Sequence, residues 1–379
     1  MSAHSQIRSP IRLALVITEL AVGGAERNLV RLATGLHGDG FEVRVFSLKR
    51  APEAPRDELV RQLESARLPV TFFDAQSAWQ IPGATRRMAR EFRSWRPDVV
   101  QSFLFHANVV STWACRLARV RNLVWGLRVA DPNPRRIWLE RKLVGNARIV
   151  TCVSESVRQF ALEEIGIEAE KLRVIPNGLN PADYESVQPI DLATVGVPQG
   201  RRMLLCVGRL HDQKGYDWLL KFAPEMLFRL PEHDLVFVGD GPERERLKAM
   251  AEESGMGQRI HFVGFRDDVP RWLAAADLLL LPSRWEGMPN VVLEAMASGR
   301  PVVATASHGV AELLGELAPE QLVPLGDSSG FQQKVLSLLA DKERALEVGA
   351  ANRRRAQTVY STSNTLASHR QLYHTLASS

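Results

Sequence analysis

Two carboxylates, Glu286 and Glu294, stand eight residues apart in Ser283-Arg-Trp-Glu-Gly-Met-Pro-Asn-Val-Val-Leu-Glu-Ala-Met-Ala-Ser-Gly299. Ahead of them, Asp277-Leu-Leu-Leu-Leu-Pro282 reads as a buried strand that ends at a proline. Glu286 then falls in the loop at the strand's C-terminal end. Pro289 suits the first turn of a helix, and Val291, Val292, Ala295 and Met296 recur at helical spacing as its buried face. Glu294 therefore lies about one to two turns inside that helix. In an open α/β sheet the crevice past the strand ends takes ligands, and the free N–H groups of a helix start attract phosphate. A carboxylate repels phosphate but accepts from vicinal hydroxyls, so the pair suits a ligand that is part diphosphate and part polyol. Taken alone, the same two residues also read as a solvated loop charge and an exposed helix residue.

Other strand ends carry fitting chemistry. Val207-Gly-Arg-Leu-His-Asp-Gln-Lys-Gly215 places Arg209 and Lys214 in one loop, and two cations there match a diphosphate, although loop cations are also commonly just solvated. Phe237-Val-Gly-Asp-Gly-Pro-Glu243 is a tight strand-to-loop turn whose glycines permit close backbone approach, with a structural role at least as fitting as ligand contact. In the first half, Glu19-Leu-Ala-Val-Gly-Gly-Ala-Glu-Arg27 joins a strand to a helix without the Gly-x-Gly-x-x-Gly fingerprint of dinucleotide binders. Gly23 and Gly24 there leave room for backbone N–H groups to approach an anion. His106 follows a strand in Pro97-Asp-Val-Val-Gln-Ser-Phe-Leu-Phe-His106, flanked by apolar residues, where a structural histidine is the commoner outcome. Arg128, at the end of the next strand, suits either an acceptor phosphate or a plain salt bridge.

The elements that must hold these residues alternate. Strands are expected at 11–17, 42–46, 70–73, 98–100, 123–125, 148–153 and 172–175, with a helix over 25–36, and a second series at 203–207, 234–238, 260–263, 278–281 and 301–304. Such alternation implies parallel sheets with crossover connections. Periodicity lapses into Pro, Gly, Asp and Ser near 178–200, which reads as an interdomain linker. The stretch from Gly330 onward is helical in composition. At 379 residues the chain is long for one domain and natural for two.

Three scattered cysteines, Cys115, Cys152 and Cys206, form no disulfide framework or metal-ligand spacing, which points to a reducing cytoplasm. No apolar run approaches the roughly 20 residues of a membrane span, and the polar start over residues 1–10 lacks a signal-type apolar segment. Residues 1–185 hold 27 Lys and Arg against 20 Asp and Glu, a net +7, whereas residues 186–379 hold 21 against 23, a net −2. The densest basic segment, Arg86 to Arg96, interleaves Met88, Phe92 and Trp95, and Arg135 to Lys142 is similar. Such helices fit an anionic membrane surface or, equally, a sheet-covering helix with a solvated arginine face. No nucleic-acid-binding motif accompanies the charge.

The Glu286 to Gly299 segment, with Pro301-Val-Val-Ala304 shortly after it, resembles the Glu-x7-Glu motif of family 4 retaining glycosyltransferases, and the likeness extends over nearly the whole chain. The resemblance implies the α/β GT-B fold, two Rossmann-like domains with parallel sheets facing across a cleft. Residues 1–177 would form the acceptor-side domain, 178–200 the linker, 201–360 the nucleotide-sugar-binding domain, and 361–379 a helix crossing back to the first. It gives Glu294 to the ribose hydroxyls and Glu286 to those of the transferred sugar, with Gly287, Met288, Pro289, Asn290 and Val291 lining the donor beside them. Gly208-Arg-Leu-His-Asp-Gln-Lys-Gly215 is similar to the family's Gly-Arg-Leu-x-x-x-Lys-Gly, which assigns Arg209 and Lys214 to the diphosphate. The segment holding Phe265 is similar to the one that meets the nucleobase. Gly23 and Gly24 match a loop that closes over sugar and β-phosphate. His106 matches the last histidine of Asp-Val-Val-His-x-His-x-x-His-Ala, placing it near the transferred sugar, but Gln101 and Phe103 replace the earlier two. Ser307-His308 stands where the family often has Gly-Gly.

The expectation is a metal-independent retaining hexosyltransferase without a bound cofactor. It would move a sugar from a UDP- or GDP-linked donor to a cell-envelope glycan or lipid-linked acceptor, with domain closure excluding water. No Asp-x-Asp occurs that could chelate a metal beside a diphosphate, so Arg209, Lys214 and helix starts must supply the positive charge. The expected location is the cytoplasm, with the inner face of the cytoplasmic membrane as a candidate docking surface. A glycoside phosphorylase, a sugar-nucleotide epimerase and a non-catalytic nucleotide-sugar-binding subunit share enough of these features to stay as alternatives.

Overall fold

The structure is a computed structural model that describes residues 10–378, and it contains two wholly parallel β-sheets of seven and six strands. The polar start considered above falls mostly in residues 1–9, outside the described residues. Contacts divide the chain into one unit running to Asn177 and resuming at Thr362, and a second unit, Gly178–Ser361.

The first unit runs β1 (Ile11–Ile17), α1 (Gly24–Leu36), β2 (Phe41–Ser47), α2 (Glu58–Ser65), β3 (Val70–Phe72), α3 (Ile81–Trp95), β4 (Val99–Phe103), α4 (Phe105–Ala118), β5 (Leu123–Leu127), α5 (Pro134–Leu143), β6 (Ile149–Cys152), α6 (Glu155–Phe160) and β7 (Leu172–Val174). Its strand order is β3-β2-β1-β4-β5-β6-β7. Central parallel strands are covered on both faces and so read as near-continuous apolar runs, which is why Leu13 to Ile17 are all fully buried.

The second unit runs β8 (Arg202–Val207), α7 (Tyr216–Phe228), β9 (His233–Val238), α8 (Arg244–Glu253), β10 (Ile260–Gly264), α9 (Val269–Ala275), β11 (Leu278–Leu281), α10 (Asn290–Ala297), β12 (Val302–Thr305), α11 (Val310–Leu314), α12 (Ala318–Gln321), β13 (Leu322–Val323), α13 (Ser328–Ala340) and α14 (Lys342–Val359). Its order is β10-β9-β8-β11-β12-β13. The edge strand β13 is absent from the expected series, because two residues are too short to show a period. Residues 178–200, where the periodicity lapses, belong to this unit and bury Tyr184 and Val197. After it, α15 (Thr362–Ala377) returns to the first unit, where Tyr373 is fully buried and its hydroxyl donates to Gln101 Oε1 at 3.1 Å.

In both sheets the strand order reverses at one place, between β1 and β4 in the first and between β8 and β11 in the second. Such switch points open a crevice at the C-terminal strand ends. The helix starts after β1 and β4 carry Gly23, Gly24 and His106, and the loops after β8 and β11 carry Arg209, Lys214 and Glu286.

The basic helix α3 spends its apolar residues on the core. Met88, Phe92 and Trp95 are all buried, while Arg86 and Arg90 stay exposed. The interleaved aromatics thus face the sheet and leave only an arginine face outward. Among the described residues no helix is long and apolar enough to cross a membrane.

Candidate active site

In the second unit the loops after β8 and β11 are laced together. Gln213 Nε2 donates to the Trp285 carbonyl at 2.9 Å, the Arg284 backbone N–H donates to the Gln213 carbonyl at 2.8 Å, and the Arg284 guanidinium pairs with Asp217 at 2.8 Å. This lacing brings together two residues separated by 72 positions: Lys214 Nζ lies 2.5 Å from Glu286 Oε1. Ser283 Oγ donates to the same oxygen at 2.7 Å. The pair is largely enclosed, with side-chain exposures of 16% for Lys214 and 7% for Glu286, so water screens it poorly. Arg209, in contrast, is exposed and forms no ion pair among the described residues.

The helix α10 starts as its sequence suggests, but Pro289 is its N-cap rather than a first-turn residue. A proline N-cap offers no side-chain acceptor, so no side chain caps the first turn. Every residue from Val291 to Ala297 is buried, because α10 packs against α9, α11 and α14 as well as its own sheet. Glu294 is among them at 8% exposure, and its carboxylate has no hydrogen-bond or ion-pair partner among the described residues. Met288 is buried, Gly287 and Pro289 are buried with it, and Asn290 is half-buried at the helix start. Phe265 is half-buried just past β10.

The turn after β9 serves packing. A Cβ on Gly239, at φ +143°, would lie 1.9 Å from the Gly208 carbonyl oxygen, so this glycine lets the Arg209 loop settle onto its neighbour. The Ser307-His308 loop likewise touches the site: Ser307 is buried with an unpartnered hydroxyl, and Gly309 sits against the Gly287 carbonyl.

In the first unit Gly23 is the N-cap of α1, yet the space beside it is filled by the chain itself. The Glu26 carboxyl curls back so that a Cβ on Gly23 would lie 2.3 Å from its Oε2. Burial pushes the Glu26 pKa from 4.5 up to about 7, opposed by its own backbone N–H, reinforced by Glu19 and opposed by Arg128 and Lys49. Sequence reasoning gave this residue no role, although a Glu three positions after an N-cap is a recognisable capping spacing. Glu19 and Lys49, also passed over, pair at 2.7 Å after β1 and β2.

His106, the second residue of α4, is exposed, and its ring meets Phe105 edge-on at 5.2 Å. Partial burial lowers its pKa below 6.5, with Arg136 and Lys49 adding to the effect and Glu19 opposing it, so the imidazole is mainly neutral at pH 7. Arg128 is turned inward: it donates to Asn177 Oδ1 and lies 5.7 Å from the centre of the Phe103 ring. Burial lowers its pKa to about 10, against the charges of Glu26 and Tyr373. The two departures from the histidine pattern are core residues, since Gln101 is fully buried and donates to Thr151 Oγ1 at 3.1 Å, and Phe103 lies beneath Arg128.

The raised Glu26 pKa has a measurable consequence. Below about pH 4.5 the carboxyl is protonated in folded and unfolded chains alike; between 4.5 and 7 only the unfolded chain ionises, so stability falls as pH rises and then levels off. Glu26→Gln is therefore expected to stabilise the first unit at pH 8 by up to about 3 kcal/mol and to change little at pH 4.5. Denaturant titrations at the two pH values check this, and a pH-independent difference contradicts it.

Comparison with known proteins agrees with this arrangement. Residues 22–183 match the family described as Glycosyltransferase Family 4, and residues 201–341 match Glycosyl transferases group 1. The chain is 27% identical to the 2-deoxystreptamine N-acetyl-D-glucosaminyltransferase of Streptomyces fradiae, over 87% of this chain and 86% of that one. It is 28% identical to the phosphatidyl-myo-inositol mannosyltransferase of Mycobacterium leprae, over 94% of each. Among solved structures, Anabaena HepE in complex with UDP and glucose superposes with a TM-score of 0.83 at 22% identity, covering 97% of this chain and all of that one. With two Rossmann-like units, each with one sheet switch point and each matched by a family model, the chain belongs to the family 4 glycosyltransferases, hexosyltransferases of the GT-B fold.

Proposed function

We propose that the protein is a retaining, metal-independent transferase that takes a sugar from a nucleoside diphosphate, UDP in the first instance, to a glycan or lipid-linked acceptor. The carrying observation is the second unit's switch point, where an exposed Arg209 with no ion pair among the described residues, Lys214, the start of α10 without a side-chain cap and two buried carboxylates follow the neighbouring strands β8 and β11. In this reading Arg209, Lys214 and the α10 N–H groups carry the diphosphate charge that a metal would otherwise neutralise. Glu294 accepts from the ribose and Glu286 from the sugar, with Gly287 to Val291 along the donor and Phe265 toward the base. Within the first unit, His106 in its neutral form and the Gly23-Gly24 loop are the groups assigned to a sugar. Arg128 acts through Asn177 as a structural support and not as an acceptor contact. UDP is favoured because HepE is crystallised with UDP-glucose as well as with UDP and glucose. The acceptor class follows relatives named for phosphatidyl-myo-inositol and for a diphosphoundecaprenol-linked sugar.

A thermal-shift screen of UDP-, GDP-, ADP- and CDP-sugars, followed by mass spectrometry of incubations with glycan and lipid extracts, tests the reading. Stabilisation by one nucleotide class and a mass increment of one hexose-type unit are expected. Free phosphate yielding a sugar phosphate would favour a phosphorylase, and donor interconversion without an acceptor an epimerase.

A lipid-linked acceptor would be met at a membrane surface, and a specific observation favours that setting. Trp79 is 94% exposed just ahead of α3, which carries exposed Arg86 and Arg90, and Trp138 is 61% exposed on α5, which carries exposed Arg135 and Arg141. Co-sedimentation with phosphatidylglycerol vesicles at low salt is expected, reduced at least fivefold in the Trp79→Ser, Trp138→Ser double variant. Equal sedimentation of the two proteins removes the aromatic anchor.

A further inference from the structure

We infer that the Lys214–Glu286 ion pair is a built-in competitor of the nucleoside diphosphate, which must draw Lys214 away before Glu286 can receive the sugar. This rests on the donor reading above. In the present structure the cation assigned to phosphate and the carboxylate assigned to sugar hydroxyls neutralise one another at 2.5 Å. Neither can serve its ligand fully while bonded to the other.

Three details fit a pair made to open. Glu286 does not depend on Lys214 alone, because Ser283 Oγ donates to the same oxygen at 2.7 Å and would keep the carboxylate hydrogen-bonded after the lysine leaves. Ser283 is itself fully buried, so this support is fixed. The lysine chain lies against Gly208, where a Cβ would come within 3.2 Å of Lys214 Cε and 2.9 Å of the Tyr216 hydroxyl, so only glycine leaves the lysine its space there. That hydroxyl is buried and has no hydrogen-bond partner, an orphan acceptor on the side of Gly208 along which the lysine chain lies.

The pair therefore couples two halves of the donor. Phosphate contact releases Glu286, and sugar hydroxyls then occupy it, so an intact nucleotide sugar satisfies both groups. A nucleoside diphosphate takes Lys214 but leaves Glu286 without a partner for its charge. After transfer the ion pair re-forms and favours departure of the product. Glu286 thus sets the preference for donor over product, apart from any part in the chemical step.

The signs of the binding changes separate this from simple positioning. Wild type, Glu286→Gln, and Lys214→Met with and without Glu286→Gln are titrated calorimetrically with UDP, GDP, CDP and ADP, and the tightest diphosphate is compared with its glucose conjugate. Glu286→Gln is expected to bind the free diphosphate at least fivefold more tightly and the conjugate no more tightly than wild type. The gain should vanish when Lys214→Met is also present. Ser283→Ala, which removes the carboxylate's other support, is expected to weaken diphosphate binding at least twofold and serves if Glu286→Gln does not fold. Unchanged or weaker diphosphate binding in folded Glu286→Gln, or unchanged binding in Ser283→Ala where that variant must serve, overturns the inference. Failure of every diphosphate to bind wild type instead overturns the donor reading itself.

Discussion

Alanine at Glu286 is expected to lower sugar transfer by about 10²- to 10³-fold while leaving the protein folded. The carboxylate is 5% exposed and fixed by a serine hydroxyl and a lysine, so no neighbouring water can take its place with the same geometry. An acceptor lost from the sugar as charge develops in the transition state costs roughly 3–4 kcal/mol. The fold should survive, because Lys214 retains some exposure and its stem can carry the ammonium to water. Initial rates with the donor identified by screening, together with circular dichroism, check the result. A fall in kcat is expected to exceed any change in nucleotide affinity, and turnover at the wild-type level would remove Glu286 from the reaction.

Gly309→Ala should be nearly as damaging through a different route. This glycine has φ +77°, a region that costs a residue bearing a Cβ about 1–2 kcal/mol. Its Cβ would also lie 1.8 Å from the Gly287 carbonyl oxygen and 3.2 Å from Met288 Cα, which are backbone atoms that cannot rotate aside. The loop after β11 must move, taking Glu286 and the start of α10 with it. A loss of about 3 kcal/mol or more is expected, a drop of roughly 6–12 °C in the melting of the second unit. Nucleotide affinity should fall in parallel, since the displaced loop carries residues proposed above to contact the donor. A normal melting temperature with normal affinity would show that this loop has slack the structure does not reveal.

Sequence reasoning recovered what is written in short stretches. The apolar runs of β1, β8 and β11 announce central parallel strands, and the cations and carboxylates after them fall at strand ends as the pattern requires. What escaped was pairing across distance: nothing near Lys214 points to Glu286, and only the lacing of Gln213 and Arg284 between their loops joins them. Burial on all sides also misled, since α10 shows one apolar stripe in sequence yet buries even Glu294. Glu26 was overlooked because its neighbours Gly23 and Gly24 suggested an open anion site, whereas its own carboxyl fills the space the glycine leaves. Met88, Phe92 and Trp95 had two readings, and the packing of α3 chose the core.

The return of α15 to the first unit has a consequence for biosynthesis. Tyr373 and Leu376 are part of that unit's core, and the Tyr373 hydroxyl holds Gln101 on β4. Strands β1 to β7 leave the ribosome first, yet the helix that closes their sheet emerges only after the whole of Gly178–Ser361 has been made. At roughly 5–20 residues per second, the first unit waits tens of seconds or less with an uncovered core while the second, an uninterrupted stretch, is already free to fold. The part of the chain begun earliest is completed latest, and a nascent chain exposed from the ribosome only as far as Ser361 carries its second unit whole and its first unit open.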